Sequence, residues 1–486
     1  MTPTQAVVVV ISGVGALLIA RWRRDGDRRR STARFARRRD LQGLTLRRPS
    51  PGRVVVGRAG HRLLAIERRH SLLVIGPPQT GKTAGLAIPA ILEWPGPVLV
   101  TSSKPDVLEV TRQARSARGQ IMVYDPCTDS VSSSGWTPVA AVSDWSDALV
   151  SARALMSVQA SGGMGDQDFW HAAAEASLAP LLRAAAHEGG MTRLVEWLDR
   201  GDDADDEVTR VLEASGDPHA RSAWRAVAAL DPRTRSGVIA TARTALAGWW
   251  DPRVLEAAHA EITPARLLSG AASLYLVAPS HEQDRLRNIY AAIVQEMTRA
   301  VFARRARTGA PLDPALLVVL DEAAHIAPVR DLAALAATGP EPGIQLVTVF
   351  HDHAQIRAIY GTRAPSVIAN HRARLLLPGV GDAETLAQIS DALGTAPRRR
   401  ISRTTGRHGA TSTASEADEP LIAAHALREM PDGSGLLVYG TRPPVRITLR
   451  PWFADRTLRA IAAGAGVEGS VPGADEPCRD PPTGQR

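Results

Sequence analysis

The octapeptide Gly76-Pro77-Pro78-Gln79-Thr80-Gly81-Lys82-Thr83 fits G-x-x-x-x-G-K-[ST] at every fixed position. Gly76 and Gly81 permit a tight turn whose backbone N–H groups can surround phosphate. A helix beginning over 84–88 would add the positive end of its dipole. In such a loop Lys82 reaches the β- and γ-phosphates of ATP and Thr83 ligates Mg²⁺. The chain contains only two lysines, Lys82 and Lys104, among 58 basic residues. A sequence that uses Arg almost everywhere and keeps Lys here needs a compact point charge on a flexible stem.

A phosphate loop also needs an acid on a neighbouring strand. The run 316–320 is entirely Leu and Val and ends in Asp321-Glu322. Asp321 is placed to hold Mg²⁺ through its water shell, and Glu322 to act as general base on the attacking water. The order Asp321-Glu322 points to hydrolysis. The apolar run 344–350 ends in His351-Asp352-His353-Ala354-Gln355. A polar group there could sense the γ-phosphate, with His351 the first candidate and Gln355 the second. Lys104, after another apolar run, could contact nucleotide or substrate at the sheet edge, or pair with Asp106 or Asp125.

The elements that must position these groups follow from short apolar runs bounded by turn signals. They cover 71–75, 98–101, 121–124, 273–278, 316–320, 344–350, 374–377 and 436–439. Continuous apolar stretches of this length are expected of strands buried on both faces. Ala-rich helical stretches separate many of them. The pattern predicts an α/β fold, a P-loop NTPase core with a mostly parallel sheet covered by helices. The core divides into 53–139 and 266–465. Residues 140–265 carry no strand pattern and read as an inserted all-α domain, with Pro180 expected to kink a helix. Pro89 is expected to end or kink the helix after the phosphate loop. Residues 404–420, rich in Thr, Ser, Gly and Glu without periodicity, read as a mobile loop, and 466–486 as a disordered tail.

Ten Arg against two Asp in residues 21–39 account for the whole net charge of +8. This excess adjoins the uncharged run 6–20, AVVVVISGVGALLIA, which with its flanks approaches the length of a membrane span. No positive residue precedes the run and many follow it. Residues 1–22 are therefore expected to be a single-pass transmembrane anchor in the cell membrane, with the bulk of the chain cytoplasmic. Residues 23–52 are expected to be a basic linker. Cys127 and Cys478 suggest neither a disulfide framework nor a zinc site.

Together these blocks resemble the type IV coupling proteins, the TraG/TraD-type conjugation ATPases. The likeness runs through GPPQTGKT, SSKPD, Phe169-Trp170 at the start of the helical stretch, VVLDEAAHIAP, GIQLVTVFHDHAQIRAIYG, Asn370 and residues 390–394. It implies a RecA-like core, an all-α domain facing the cytoplasm, a membrane anchor and a homohexameric ring. The implied substrate is DNA or a relaxase–DNA complex, handed to type IV secretion channel proteins. The chain departs from the family in three ways. The family usually has Gln where this chain has His351. Some members have an Arg acting across the subunit interface where this chain has Pro340, which leaves Arg363, Arg372 and Arg374 as unassigned alternatives. Relatives usually show two membrane spans. Arginines 398–400, 403 and 407 could line a channel and touch phosphates, or form a solvated basic loop.

Two other functions compete. A septal-type DNA translocase shares the motor class, but the helical insertion between the two nucleotide motifs favours a coupling protein. A non-hydrolysing docking receptor for secreted proteins is compatible with His351 and Pro340 but not with intact Lys82, Thr83, Asp321 and Glu322.

Overall fold

The computed structural model describes residues 33–68, 70–128, 133–156, 166–406 and 409–464. The expected anchor and tail lie outside these residues. Among the described residues no helix is long and apolar enough to cross a membrane.

The strands are, in chain order, β1 (Thr45–Leu46), β2 (Val55–Ala59), β3 (Arg62–Ala65), β4 (Leu72–Ile75), β5 (Val98–Ser102), β6 (Ile121–Tyr124) and β7 (Ser273–Val277). They continue with β8 (Leu316–Leu320), β9 (Ile344–Phe350), β10 (Ala373–Leu376), β11 (Thr395–Gly406), β12 (Gly409–Pro420), β13 (Ser434–Tyr439) and β14 (Val445–Thr448). Twelve of them form one sheet in the order β1-β3-β2-β14-β13-β10-β4-β9-β8-β5-β7-β6.

From β10 to β6 every pairing is parallel. From β10 to β1 every pairing is antiparallel. The sheet is thus mixed, where a mostly parallel one was expected. The reason is visible in the added strands. VVGRA, RLLA and VRIT are short and interrupted by Gly or Arg, and β14 alternates buried and exposed residues. They lack the continuous apolar run that marks β8 and β9, in which every residue is buried.

Alternation sends Leu73 and Ile75 into the core on one face and Leu72 and Val74 into the core on the other. Part of the expected linker is also folded: Leu41 and Leu44 are buried, next to a 3₁₀ turn at Arg38–Leu41 and the edge strand β1.

Between β6 and β7 the described residues carry helices and no strand. Four of these helices begin with a capping side chain followed by proline at the first helical position: Asp217-Pro218, Asp231-Pro232, Asp251-Pro252 and Thr263-Pro264. Each cap accepts an otherwise unpaired backbone N–H, and proline has none to lose there. Pro180 lies inside the uninterrupted helix Asp166–His187. Gly237 lies so close to Trp170 that an added Cβ would come within 2.7 Å of the indole.

Residues 404–420 correct the expectation of a mobile loop. With the residues before them they form the antiparallel pair β11–β12, from Thr395 opposite Pro420 to Gly406 opposite Gly409. Thr favours extended backbone, but the Thr/Ser-rich run supplies no apolar period, so the usual strand signal is missing. Residues 398–400 and 403 lie on β11, and Arg407 lies outside the described residues.

Candidate nucleotide site

The strand order brings the two predicted motifs together. β9 lies between β4, which feeds the glycine loop, and β8, which ends at Asp321. The loop start is tied to this middle strand by the Gly76 N–H, which donates to the Phe350 carbonyl at 3.0 Å. Gly81 has φ +82° and Gln79 φ +65°, the left-handed conformations a tight cradle requires. The Thr80 hydroxyl closes the turn on the Pro77 carbonyl at 2.9 Å. Pro78 lies in the same turn.

Lys82 is buried, and its ammonium donates to the carbonyls of Gly76 and Pro77 at 2.7 and 2.8 Å. Burial lowers its pKa, while Asp321 and Glu322 pull in the other direction. The Thr83 hydroxyl donates to Asp321 Oδ2 at 2.7 Å, joining residues 238 positions apart. Burial raises the Asp321 pKa, against the Thr83 hydrogen bond and the Lys82 charge. The Asp321 carbonyl accepts from the Thr101 hydroxyl at 2.8 Å, which fixes the end of β8 to β5. Glu322 has φ +55° and begins a turn in which the N–H groups of His325 and Ile326 both donate to its carbonyl.

Pro89 does not end the helix. A π turn at Thr83–Ala87 precedes the helix Ile88–Glu93, and the Ile88 N–H reaches the Thr83 carbonyl. The carbonyl of Ala84 then has no helical partner, because proline at the next position has no N–H. The Trp452 N–H fills that place at 2.9 Å. Gly85 allows this approach, since a Cβ there would meet Leu449 Cβ at 3.0 Å. Arg450 and Glu93 complete the brace, with Nη2 and Oε1 2.9 Å apart and both side chains buried.

His351 stands at the end of β9. Burial and the Lys82 charge lower its pKa, and Glu322 raises it, so it faces the same site. Gln355 is committed elsewhere. Its Oε1 accepts the His351 N–H at 2.8 Å and its Nε2 donates to His325 Nε2, also at 2.8 Å. It therefore positions His351 and His325. Lys104 is exposed just past β5, where its carbonyl accepts the Ser102 hydroxyl at 2.8 Å, and among the ion pairs of the described residues none joins it to Asp106 or Asp125.

Two neighbours of Glu322 escaped the sequence reading. Gln283, buried at the first turn of the helix Gln283–Thr308, donates from Nε2 to the Ala278 carbonyl at 3.0 Å and to Glu322 Oε2 at 3.4 Å. Its position just after the apolar run 273–278, on the same sheet edge, was the available signal. His325 lies three residues beyond Glu322, in the DEAAH stretch. Among the candidate trans-acting arginines, Arg363 lies 3.9 Å from Asp331, Arg372 is exposed, and Arg374 lines a cavity on the face of the sheet that carries Leu73 and Ile75. Pro340 is buried in the turn before β9.

The family model for type IV secretory system conjugative DNA transfer matches residues 33–468. The chain belongs to that family. Protein VirD4 of Agrobacterium fabrum is 21% identical over 412 residues, covering 81% of this chain and 60% of the relative. Protein VirD4 of Rhizobium rhizogenes is also 21% identical, covering 83% and 61%. The chain thus spans about 60% of the length of these curated relatives. Among solved structures, the unbound conjugative coupling protein TrwBdeltaN70 superimposes with a TM-score of 0.65 at 18% identity, covering 87% of this chain and 93% of that one. TrwB in complex with ADP and Mg²⁺ gives a TM-score of 0.63 at 18% identity, covering 87% and 94%. The fold is that of TrwB.

Proposed function

We propose that this family member is a membrane-anchored P-loop ATPase that couples hydrolysis of ATP to transfer of DNA, or a relaxase–DNA complex, into a type IV secretion channel, acting as a homohexamer. One observation carries the ATPase reading: the Thr83–Asp321 contact, which joins the glycine loop to the acid pair across β9. One intervening strand between loop and acid is what a RecA-like core requires. TrwB structures hold ADP with Mg²⁺ and analogues of GTP and ATP. Membership of a conjugative DNA transfer family supports the substrate class.

The residues fit nucleotide and metal. Gly76, Gly81 and the intervening backbone form a turn with N–H groups for phosphate, and Lys82 carries its charge at the loop mouth. Thr83 and Asp321 supply paired hard oxygens of the kind Mg²⁺ prefers. Bound Mg²⁺ would neutralise charge on the β- and γ-phosphates. Glu322 polarises the attacking water and takes its proton. His351, whose backbone N–H is held by Gln355, would sense the γ-phosphate from the end of β9. The basic run at 21–39 beside the apolar run supports an anchored chain with its bulk in the cytoplasm.

The test is ATP turnover by purified protein with and without DNA, with Glu322→Gln as the control. DNA-stimulated turnover well above that control is expected. Turnover equal to the control would remove hydrolysis and leave a docking receptor. Plasmid transfer by the intact membrane protein then tests the substrate.

A further inference from the structure

Arg374 breaks the apolar pattern of its sheet face. On β10 it pairs with Leu73 of β4 and Val438 of β13, while Leu376 pairs with Ile75 and Leu436. These six residues share one face of the sheet. The helices His353–Tyr360, Ala364–Asn370 and Ala383–Leu393 cover it. They leave a cavity of 760 Å³ between, a size usual for small-molecule sites.

The cavity is one-sided in charge and chemistry. Arg34, Arg357, Arg374, Arg442 and His353 reach it, and among the described residues that line it there is no Asp or Glu. Three of the arginines are already held. Arg34 grips Asp40, Arg357 lies 3.0 Å from Glu384, and Arg442 donates to the carbonyls of Asp40 and Gln42. Arg374 has no hydrogen-bond or ion-pair partner among the described residues, and burial alone lowers its pKa.

Arg115 shows what a satisfied buried guanidinium looks like in this molecule. It is fully buried without an acid, but it donates to the Ser273 hydroxyl and to the carbonyls of Trp94, Gly96 and Ala271 at 2.7–2.8 Å. A half-buried guanidinium lacking such partners bears a desolvation cost that an anion relieves.

We propose that this cavity binds a small aliphatic carboxylate, its head on the Arg374 fork and its chain along Ile368, Ile389 and Leu393. A single unpaired fork suits a monoanion with two oxygens. Among the described residues that line it there is no Phe, Tyr or Trp, and Ile368, Ile389, Ala392 and Leu393 form an aliphatic stretch along which an alkyl chain can lie. Ile75, the last residue before the glycine loop, is part of that wall, so an occupied cavity adjoins the strand that carries the loop.

Calorimetry with decanoate, below its micelle-forming concentration and without nucleotide, tests this independently of any ATPase activity. Saturable one-to-one binding is expected, with decanol and decyltrimethylammonium weaker by about tenfold or more. Arg374→Met should lose the same factor, and Arg374→Lys part of it. Ile389→Trp should fill the cavity and abolish binding while melting remains cooperative. Equal affinity for the anionic and cationic chains, or unchanged binding in Arg374→Met, would overturn the proposal. Retention on phosphatidylglycerol vesicles that depends on Arg374, without decanoate binding, would also overturn it, in favour of a bilayer lipid.

Discussion

The two halves of the sheet are held by different physics. From β10 to β6 the strands are buried on both faces almost throughout, with Arg374 on β10 the charged exception, and the ends of β4, β8 and β9 lead into Lys82, Asp321, Glu322 and His351. From β13 to β1 every pairing is antiparallel, the outer strands β14, β2 and β3 mix buried with partly exposed positions, and specific polar contacts across long stretches of sequence support them. Arg450 reaches Glu93 across 357 residues, and Tyr439 meets the Glu67 backbone across 372. The first half carries the residues proposed to bind and hydrolyse nucleotide. The second returns to brace it, because Leu449–Trp452 packs on the π turn behind the glycine loop. Apolar burial builds the platform, and long-range polar contacts fix the helix that the loop opens.

Paired substitutions should expose that division. Lys82→Ala removes the charge that would meet phosphate, and turnover should fall about a hundredfold or more. Its melting temperature should stay near that of the wild type, since the lost bonds go only to the loop's own carbonyls. Glu93→Ala leaves the buried Arg450 with Asp455 alone, 3.2 Å from its Nε, and should cost about 3 kcal/mol of stability, the low end for breaking a buried pair. Turnover by the folded fraction should survive at low temperature. Denaturant titration and steady-state turnover on both variants check this. Loss of turnover in folded Glu93→Ala would mean that the brace sets loop geometry and not only stability.

The same division decides what the sequence could disclose. All eight strands expected from apolar runs are present, because burial on both faces leaves a periodicity that one sequence displays. The glycine loop and the DE pair were legible for a similar reason: phosphate and Mg²⁺ chemistry demands fixed residue types at fixed spacing. In the antiparallel half only β13 carried an apolar run; VVGRA, RLLA and VRIT mix apolar residues with Gly or Arg and offer no such signal. Gln283 was not legible either, since its link to Glu322 depends on where β7 lies in the sheet. The β11–β12 pair was missed because its Thr/Ser-rich strands carry no apolar period.

His371 tests the seam between the halves, just before β10. It is fully buried; its Nδ1–H donates to the Val367 carbonyl at 2.7 Å, so Nε2 accepts from the Thr348 hydroxyl on β9. Burial holds its pKa down at about 4, well below the ordinary imidazole value of about 6.5. The unfolded chain therefore takes up this proton first as pH falls. The residue's stabilising share is intact above about 6.5 and is lost toward 4, a swing of about 3 kcal/mol. Glu296, raised to about 7 by burial, pulls in the opposite direction as pH falls through 7. The informative quantity is thus the difference between wild type and His371→Gln in denaturant titrations from pH 7 to 4. The variant should lose less stability over that range. An identical slope would mean that the seam admits water and His371 titrates as it does in the unfolded chain.

The smallest effect concerns Gln283, whose amide divides its donors between the Ala278 carbonyl and Glu322 Oε2. At 3.4 Å the second bond is long, so its worth is about 1 kcal/mol. Gln283→Leu keeps the size and the burial but removes the donor. If the amide serves to aim Glu322 at water, kcat should fall about fivefold with KM nearly unchanged, and Gln283→Asn should not restore it, because the shorter chain cannot span both acceptors. A rise in KM with kcat preserved would assign Gln283 to nucleotide binding instead. No change in either would make the bond incidental, with Glu322 aimed only by its own left-handed backbone and by the turn that His325 and Ile326 close behind it.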